Sequence, residues 1–379
     1  MRSVGIVAAL LAGSAIATGG SAPAAATGTT DAAAAATLPA DFVQLVAEAR
    51  AAFGVETPWS DAVEAAIDPD DYECSRDNDF SRWIDEVFGE IDPASLDLIF
   101  GVGADFWAFA NSIAFDQDAS DEYIGVDGQH TKELQKRHLK DQRFWDVPTN
   151  DVLLQGAHGS NLADDAKMVP VLQSFGFPEA DAQFFVDLVQ QVIIDDPALD
   201  FDHPLFTLNA LAFGETEEGD LFPGSPFIPA KIVMGDGILE AYEDIGLGAN
   251  APDFIHAHEF AHQVQIELGV FDNQELGPEA TRRTELMADA FAAYNLAHAR
   301  GASFQTRRIV DIVSASYNIG DCGFDDPGHH GTPNQREAAA AWGAGLANSA
   351  RPQGKIESAT TMLELFDAQL PTLIAPDAG

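Results

Sequence analysis

His258 and His262 stand four residues apart in a stretch whose apolar residues are Phe254, Ile255, Phe260, Val264 and Leu268, and this spacing constrains the fold more than any other feature. Apolar residues at such intervals predict an amphipathic helix, and both imidazoles then project from one face of it. Imidazoles on an inward face cannot pack as plain core, because their ring nitrogens need partners that another element must bring. Asp253, just after Pro252, is expected to cap this helix before Phe254, and Gly269 to follow its end.

Two imidazoles one helical turn apart can hold a single Zn²⁺ through nitrogens at about 2.0–2.1 Å. Glu259, beside His258, can reach a water on that ion and serve as general base. Chance alone yields His-Glu-x-x-His roughly 0.015 times in a chain of this composition. The bland alternative, two core histidines beside a surface glutamate, is therefore the weaker one. A catalytic zinc needs a third protein ligand, and no Gly-x-x-His continuation follows His262. Downstream, Thr284-Glu285-Leu286-Met287-Ala288-Asp289 has helical spacing, so Glu285 is expected to complete the ligand set. Asp289, one turn later, is expected to accept a ring N–H from a ligating histidine. Glu275 and Glu279 are rival ligands in the loop around Gly277-Pro278. One zinc ion per chain is expected.

An oxyanion donor is also expected, and His330 is the choice over His329, Tyr317 and Tyr294. Thr332 can cap a helix starting at Pro333, and Arg336 on that helix is expected to pair with an acidic residue. His256 falls on the opposite side of its helix from His258 and should not share the metal. Gly156-Ala157-His158-Gly159-Ser160 lacks the Gly-x-Ser-x-Gly spacing of a nucleophile elbow.

His258-Glu259-x-x-His262 followed by Glu285-x-x-x-Asp289 resembles the gluzincin arrangement. More narrowly, His258 to Gln265 with Glu285-Leu286-Met287-Ala288-Asp289 is similar to a family of bacterial neutral zinc metallopeptidases. His330-Gly331-Thr332-Pro333-Asn334-Gln335-Arg336 is similar to a segment these proteins carry near their C-terminus. The resemblance spans about 231–346, while residues 40–200 have no counterpart in it. It implies a zincin-like fold and a zinc-dependent peptidase, with His258, His262 and Glu285 as ligands and Glu259 as base.

The rest of the chain sets the context. Arg2 precedes an apolar stretch over 4–18 and an Ala24-Ala25-Ala26 cleavage site, so residues 1–26 read as a secretory signal peptide and 27–40 as a flexible Ala/Thr-rich leader. The mature protein is then expected to be extracellular or periplasmic, without stable membrane insertion. The only two cysteines, Cys74 and Cys322, are expected to pair there. A mainly helical region of unknown role is expected over 41–200 and the peptidase region over 201–372. The fold class is α+β and predominantly helical, with a small sheet beside the His258–His262 helix. The run Lys231-Ile232-Val233-Met234 reads as a strand, Gly235-Asp236-Gly237 as a turn and 238–245 as a short helix closing at Gly246. Apolar residues at helical spacing also run over 83–88 and 96–113.

A net charge of −42 argues against nucleic acid and anionic membranes as partners and favours solubility in salt. Lys132, Lys136, Arg137, Lys140 and Arg143 form the one basic stretch, expected to be a solvated helix face that pairs with the protein's own acidic surface. The expected partner is a peptide or protein substrate. Two rival functions are a non-catalytic binding protein on a zinc-hydrolase scaffold and a zinc amidase acting on cell-wall peptides.

Overall fold

The computed structural model describes residues 6–9, parts of 44–52, 74–115 apart from Arg76, 123–272, 277–324, 328–350 and 354–376. The expected leader and the candidate ligand Glu275 lie outside these residues.

Strand β1 (Ile6–Ala9) comes first in the chain. Helix α1 (Asp79–Phe88) starts on Asn78, whose side chain accepts from Ser81 N at 2.7 Å, and it buries Phe80, Trp83, Ile84 and Phe88. The apolar run expected over 96–113 is not one helix. It divides into α2 (Pro93–Val102) and α3 (Trp107–Ala114), because Gly103 takes φ +72°. A Cβ there would lie 2.6 Å from the Phe106 ring, so only glycine fits this corner. Helix α4 (Thr131–Phe144) leads to β2 (Leu153–Ala157), α5 (Asp165–Ser174) and α6 (Glu179–Asp195). Strands β3 (Ala210–Phe213) and β4 (Lys231–Gly235) follow. Asp236 and Gly237, expected in a turn, instead form the first turn of α7 (Asp236–Asp244). The C-terminal part is helical: α8 (Ala251–Glu267), α9 (Pro278–Ala297), α10 (Thr306–Asn318), α11 (Pro333–Ala350) and α12 (Ala359–Leu373).

The protein is thus predominantly helical with a small sheet of order β1-β3-β4-β2. Strands β2 and β4 are parallel, whereas β3 is antiparallel to both β4 and β1. Every residue of β3 and β4 is buried, as a sheet covered on both faces requires. Even Lys231 is fully buried, and its ammonium donates to the carbonyls of Ser112 and Ile113 at 3.0 and 2.9 Å. Helix α8 is pinned beside β3 by Gln263, whose amide donates to Phe213 O at 3.1 Å and Lys231 O at 2.9 Å.

One apolar core runs through the chain, from Phe80, Trp107 and Val186 to Phe254, Leu286, Phe291 and Phe366. Cys74 and Cys322 are joined in a disulfide across 248 residues of sequence. Among the described residues no single helix is long and apolar enough to cross a bilayer.

Candidate metal centre

Helix α8 begins earlier than expected, with Ala251 and Pro252 in its first turn. Asp253 is consequently not its cap. Its carboxylate accepts instead from Arg137 Nε and Arg308 Nη2, both at 2.9 Å. The helix ends at Glu267, and Gly269 follows in the left-handed region at φ +69°. His258 and His262 project from one face with ring centroids 4.7 Å apart. Helix α9 crosses this face and presents Glu285 and Asp289 one turn apart, and all four side chains are fully buried.

The hydrogen bonds fix the state of both rings. His258 Nδ1 lies 2.8 Å from Asp289 Oδ1, an acceptor-only atom, so Nδ1 carries the proton. Gln265 donates its amide N–H to Thr284 O at 2.8 Å, which turns its carbonyl oxygen toward His262 Nδ1 at 3.0 Å. His262 is therefore also protonated on Nδ1. In the neutral rings both Nε2 atoms then carry lone pairs, and they face each other at 3.0 Å. Glu285 adds two more acceptors: Oε2 lies 3.2 Å from His258 Nε2 and Oε1 3.2 Å from His262 Nε2. The two ring nitrogens and the Glu285 carboxylate converge in a dry pocket, and a proton or a metal cation between them relieves their repulsion. One ligand atom from each of His258, His262 and Glu285 lies within 4.8 Å of the others, so the three can hold a metal ion. Ligands about 2.1 Å from a tetrahedral ion lie about 3.4 Å apart, close to the separations found here.

The local field agrees. Burial lowers the His258 pKa, but Asp289 and Glu285 outweigh it and raise the group to about 9. Burial holds His262 down, so the facing pair accepts one positive charge rather than two. Glu285 is buried, yet the two histidines keep its carboxyl well below the usual range. The pocket favours a positive charge at the point where the three residues meet.

Glu259 lies beside this point, fully buried, and neither carboxylate oxygen has a protein hydrogen-bond partner. Burial pushes its pKa up to about 8, against the pull of His258. An unpartnered buried carboxyl of this kind is a candidate proton acceptor.

Behind the ligands lies a pair that sequence reasoning saw only in outline. Arg336, also fully buried, grips Asp289 with Nε on Oδ2 at 2.8 Å and Nη2 on Oδ1 at 2.9 Å. Its Nη2 also lies 3.7 Å from Glu285 Oε2. Helix α11 delivers it through a reciprocal cap: Gln335 N donates to Thr332 Oγ1 at 3.2 Å, and Thr332 N donates to Gln335 Oε1 at 3.1 Å.

The segment before α11 carries His329 and His330, both held by Asp321. His329 Nδ1 is 2.6 Å from Oδ1, while Oδ2 accepts from the His330 backbone N at 2.8 Å and lies 3.3 Å from His330 Nδ1. Despite burial, these histidines keep the Asp321 carboxyl far below its usual range. His330 is near enough to Glu259 for its charge to favour the ionised carboxylate there.

Other candidates fall elsewhere. The Tyr294 hydroxyl accepts from Glu357 N at 2.9 Å, and that ring packs on Phe144 and His298. Tyr317 is half-buried on α10. Glu279 pairs with Arg282. His158 bonds Asp236 at 2.8 Å and stacks on Tyr123. His256 faces away from His258: its Nε2 lies 3.1 Å from His138 Nδ1, and His138 Nε2 donates to Val152 O at 2.8 Å. Asp141 closes this second buried chain, with Oδ2 at 3.4 Å from His256 Nδ1.

Sequence reasoning missed Gln265 and Asp321. The first could have been found, because it lies three residues after His262 on the same helical face. The second follows no motif. Comparison with protein-family models, curated proteins and solved structures gives no match, so the site is read from its own geometry.

Proposed function

We propose that this protein is a secreted zinc-dependent metallopeptidase of zincin-like fold, related to the bacterial neutral zinc metallopeptidases it resembles. The observation that carries the proposal is the convergence of three metal-binding acceptors beside the unpartnered carboxylate of Glu259. His258, His262 and Glu285 would hold the ion, with Asp289 and Gln265 fixing the two rings. When bound, zinc supplies Lewis acidity toward water and the scissile carbonyl.

Glu259 takes the proton of the attacking water and passes it to the leaving nitrogen, a role open to a buried carboxyl with no hydrogen-bond partner of its own. His330, oriented by Asp321, donates to the oxyanion. The antiparallel strand β3 lies against the zinc helix and offers its edge to an extended peptide. In the full chain that edge pairs with Ile6–Ala9, within the segment read as a signal peptide, so its removal would open the edge to substrate. The disulfide between Cys74 and Cys322 supports an exported protein.

The test is metal analysis joined to a peptide-library digest with and without chelator. Zinc should approach one ion per chain. Glu259→Gln should retain it while hydrolysis falls by about 10²–10⁴-fold. Peptidoglycan fragments in a parallel digest separate an amidase from a peptidase. An active, metal-free preparation sinks the proposal, and a metal-loaded protein that cleaves nothing points to a binding protein.

A further inference from the structure

A second cluster of charged side chains lies where α4 and α10 meet the start of α8. The basic stretch of α4 was expected to be a solvated face, but part of it lines a cleft of about 200 Å³ between α4, α8 and α10. Lys136, Arg137 and Lys140 reach the cleft from α4 and Arg308 from α10, against only two carboxylates, Glu133 and Asp253. The lining therefore carries an excess of two positive charges in a protein whose net charge is −42.

The cleft is built rather than incidental. Arg137 is 7% exposed, and its Nε is committed to Asp253 Oδ1 at 2.9 Å. Its Nη1 is also buried but has no protein partner. Arg308 donates to the other oxygen of Asp253 at 2.9 Å. Both guanidinium groups lie over the ring of Phe304, at 5.3 Å for Arg137 and 3.3 Å for Arg308. Attraction of each cation to the aromatic ring helps to hold both guanidinium groups in place. A buried guanidinium N–H left over in such a frame calls for a charged acceptor.

We infer that this cleft binds a tetrahedral dianion, a phosphate or sulfate group. The donors belong to four side chains on two helices, rather than to one guanidinium fork of the kind that matches a planar carboxylate. An acceptor with oxygens on all sides suits that arrangement, and a charge of −2 balances the lining. None of the residues lining the cleft belongs to the metal centre, so the site stands whether or not the peptidase reading holds.

Inorganic phosphate is the probe, titrated calorimetrically into the full chain at a fixed KCl concentration high enough to screen the acidic surface. One saturable site per chain is expected, displaced by sulfate and not by further chloride. Lys136 and Lys140 are exposed, so Lys136→Glu and Lys140→Glu should leave the fold intact. Each should weaken phosphate at least about tenfold, the part of a reversed charge's effect on a dianion that the added KCl leaves unscreened. Phosphate held on a metal ion would be indifferent to both substitutions. Absence of saturable binding, affinities within twofold of the parent in both variants, or failure of sulfate to compete would each overturn the inference.

Discussion

Asp289→Asn is the sharpest probe of the metal centre, because this carboxylate serves two neighbours at once. Its Oδ1 accepts from His258 Nδ1 at 2.8 Å, and both its oxygens accept from Arg336 at 2.8 and 2.9 Å. The amide keeps the shape but removes the charge and presents an N–H to a group that can only donate. Arg336, fully buried, is then left with Glu285 at 3.7 Å as its one nearby anion. Breaking a buried ion pair costs 3–5 kcal/mol, and the remaining attraction to Glu285 places the loss near the lower end, about 3 kcal/mol. The loosened His258 ring should weaken zinc by about 10–100-fold.

Urea unfolding of the chelated protein reads the first effect, and competition with a chromogenic chelator reads the second. Adding Arg336→Met separates them. The double variant removes both buried charges, so most of the stability should return while zinc affinity stays low. Zinc affinity within threefold of the parent in Asp289→Asn refutes the ring-orienting role. Restoration of affinity by Arg336→Met would assign the effect to the arginine instead.

Replacing His330 with Phe should lower kcat by about 10²–10³-fold at unchanged zinc content, and an unchanged kcat removes it from the mechanism. Stability should fall as pH drops from about 6.5 toward 4. Burial holds His138 at about 4 and His256 at about 3, so the unfolded chain binds two protons that the folded chain refuses. Asp141, pushed up by burial to about 7, and Glu259, pushed up to about 8, each oppose this with one proton, while His262, held low by burial, adds to the loss; a melting temperature that rises over the same window contradicts the scheme. The charge of −42 predicts higher melting temperature and retained activity as salt rises from low concentration, because screening shortens the reach of self-repulsion. A steady decline of both with salt refutes it. Replacing Cys74 and Cys322 together with Ser should cost about 2–5 kcal/mol by denaturant unfolding, and a loss below 1 kcal/mol would show that closing this 248-residue separation contributes little.

The parts of the site that follow helical periodicity could be read before any coordinates. His258, His262, Glu285 and Asp289 recur at intervals of four on two helices, so their shared face follows from the spacing alone. Strand β4 and the helix ending at Gly246 were likewise legible, from an apolar run and a glycine. What could not be read depends on distant partners. Asp253 has the position of a cap, but Arg137, 116 residues away, claims its carboxylate. The run over 96–113 has unbroken apolar spacing, and only packing against Phe106 marks Gly103 as a corner. Arg336 was expected to meet an acid, but that acid lies 47 residues earlier.

The disulfide has a consequence for when the site is complete. Cys322 directly follows Asp321, the residue that holds His329 and His330, and the Cys74 sulfur itself lies 3.5 Å from the Asp321 carbonyl. The loop that carries the proposed oxyanion donor is thus tethered to a residue near the start of the described chain. A fragment beginning at residue 201 would contain every proposed metal ligand but lack Cys74, Arg137 and His138, and so would leave this loop untied and the face of α8 that packs on α4 uncovered. The unit that holds this loop and α8 in place therefore reaches from Cys74 to the C-terminal helices. Its histidine loop is clamped only after oxidation, so site assembly follows the redox history of the protein as well as its sequence.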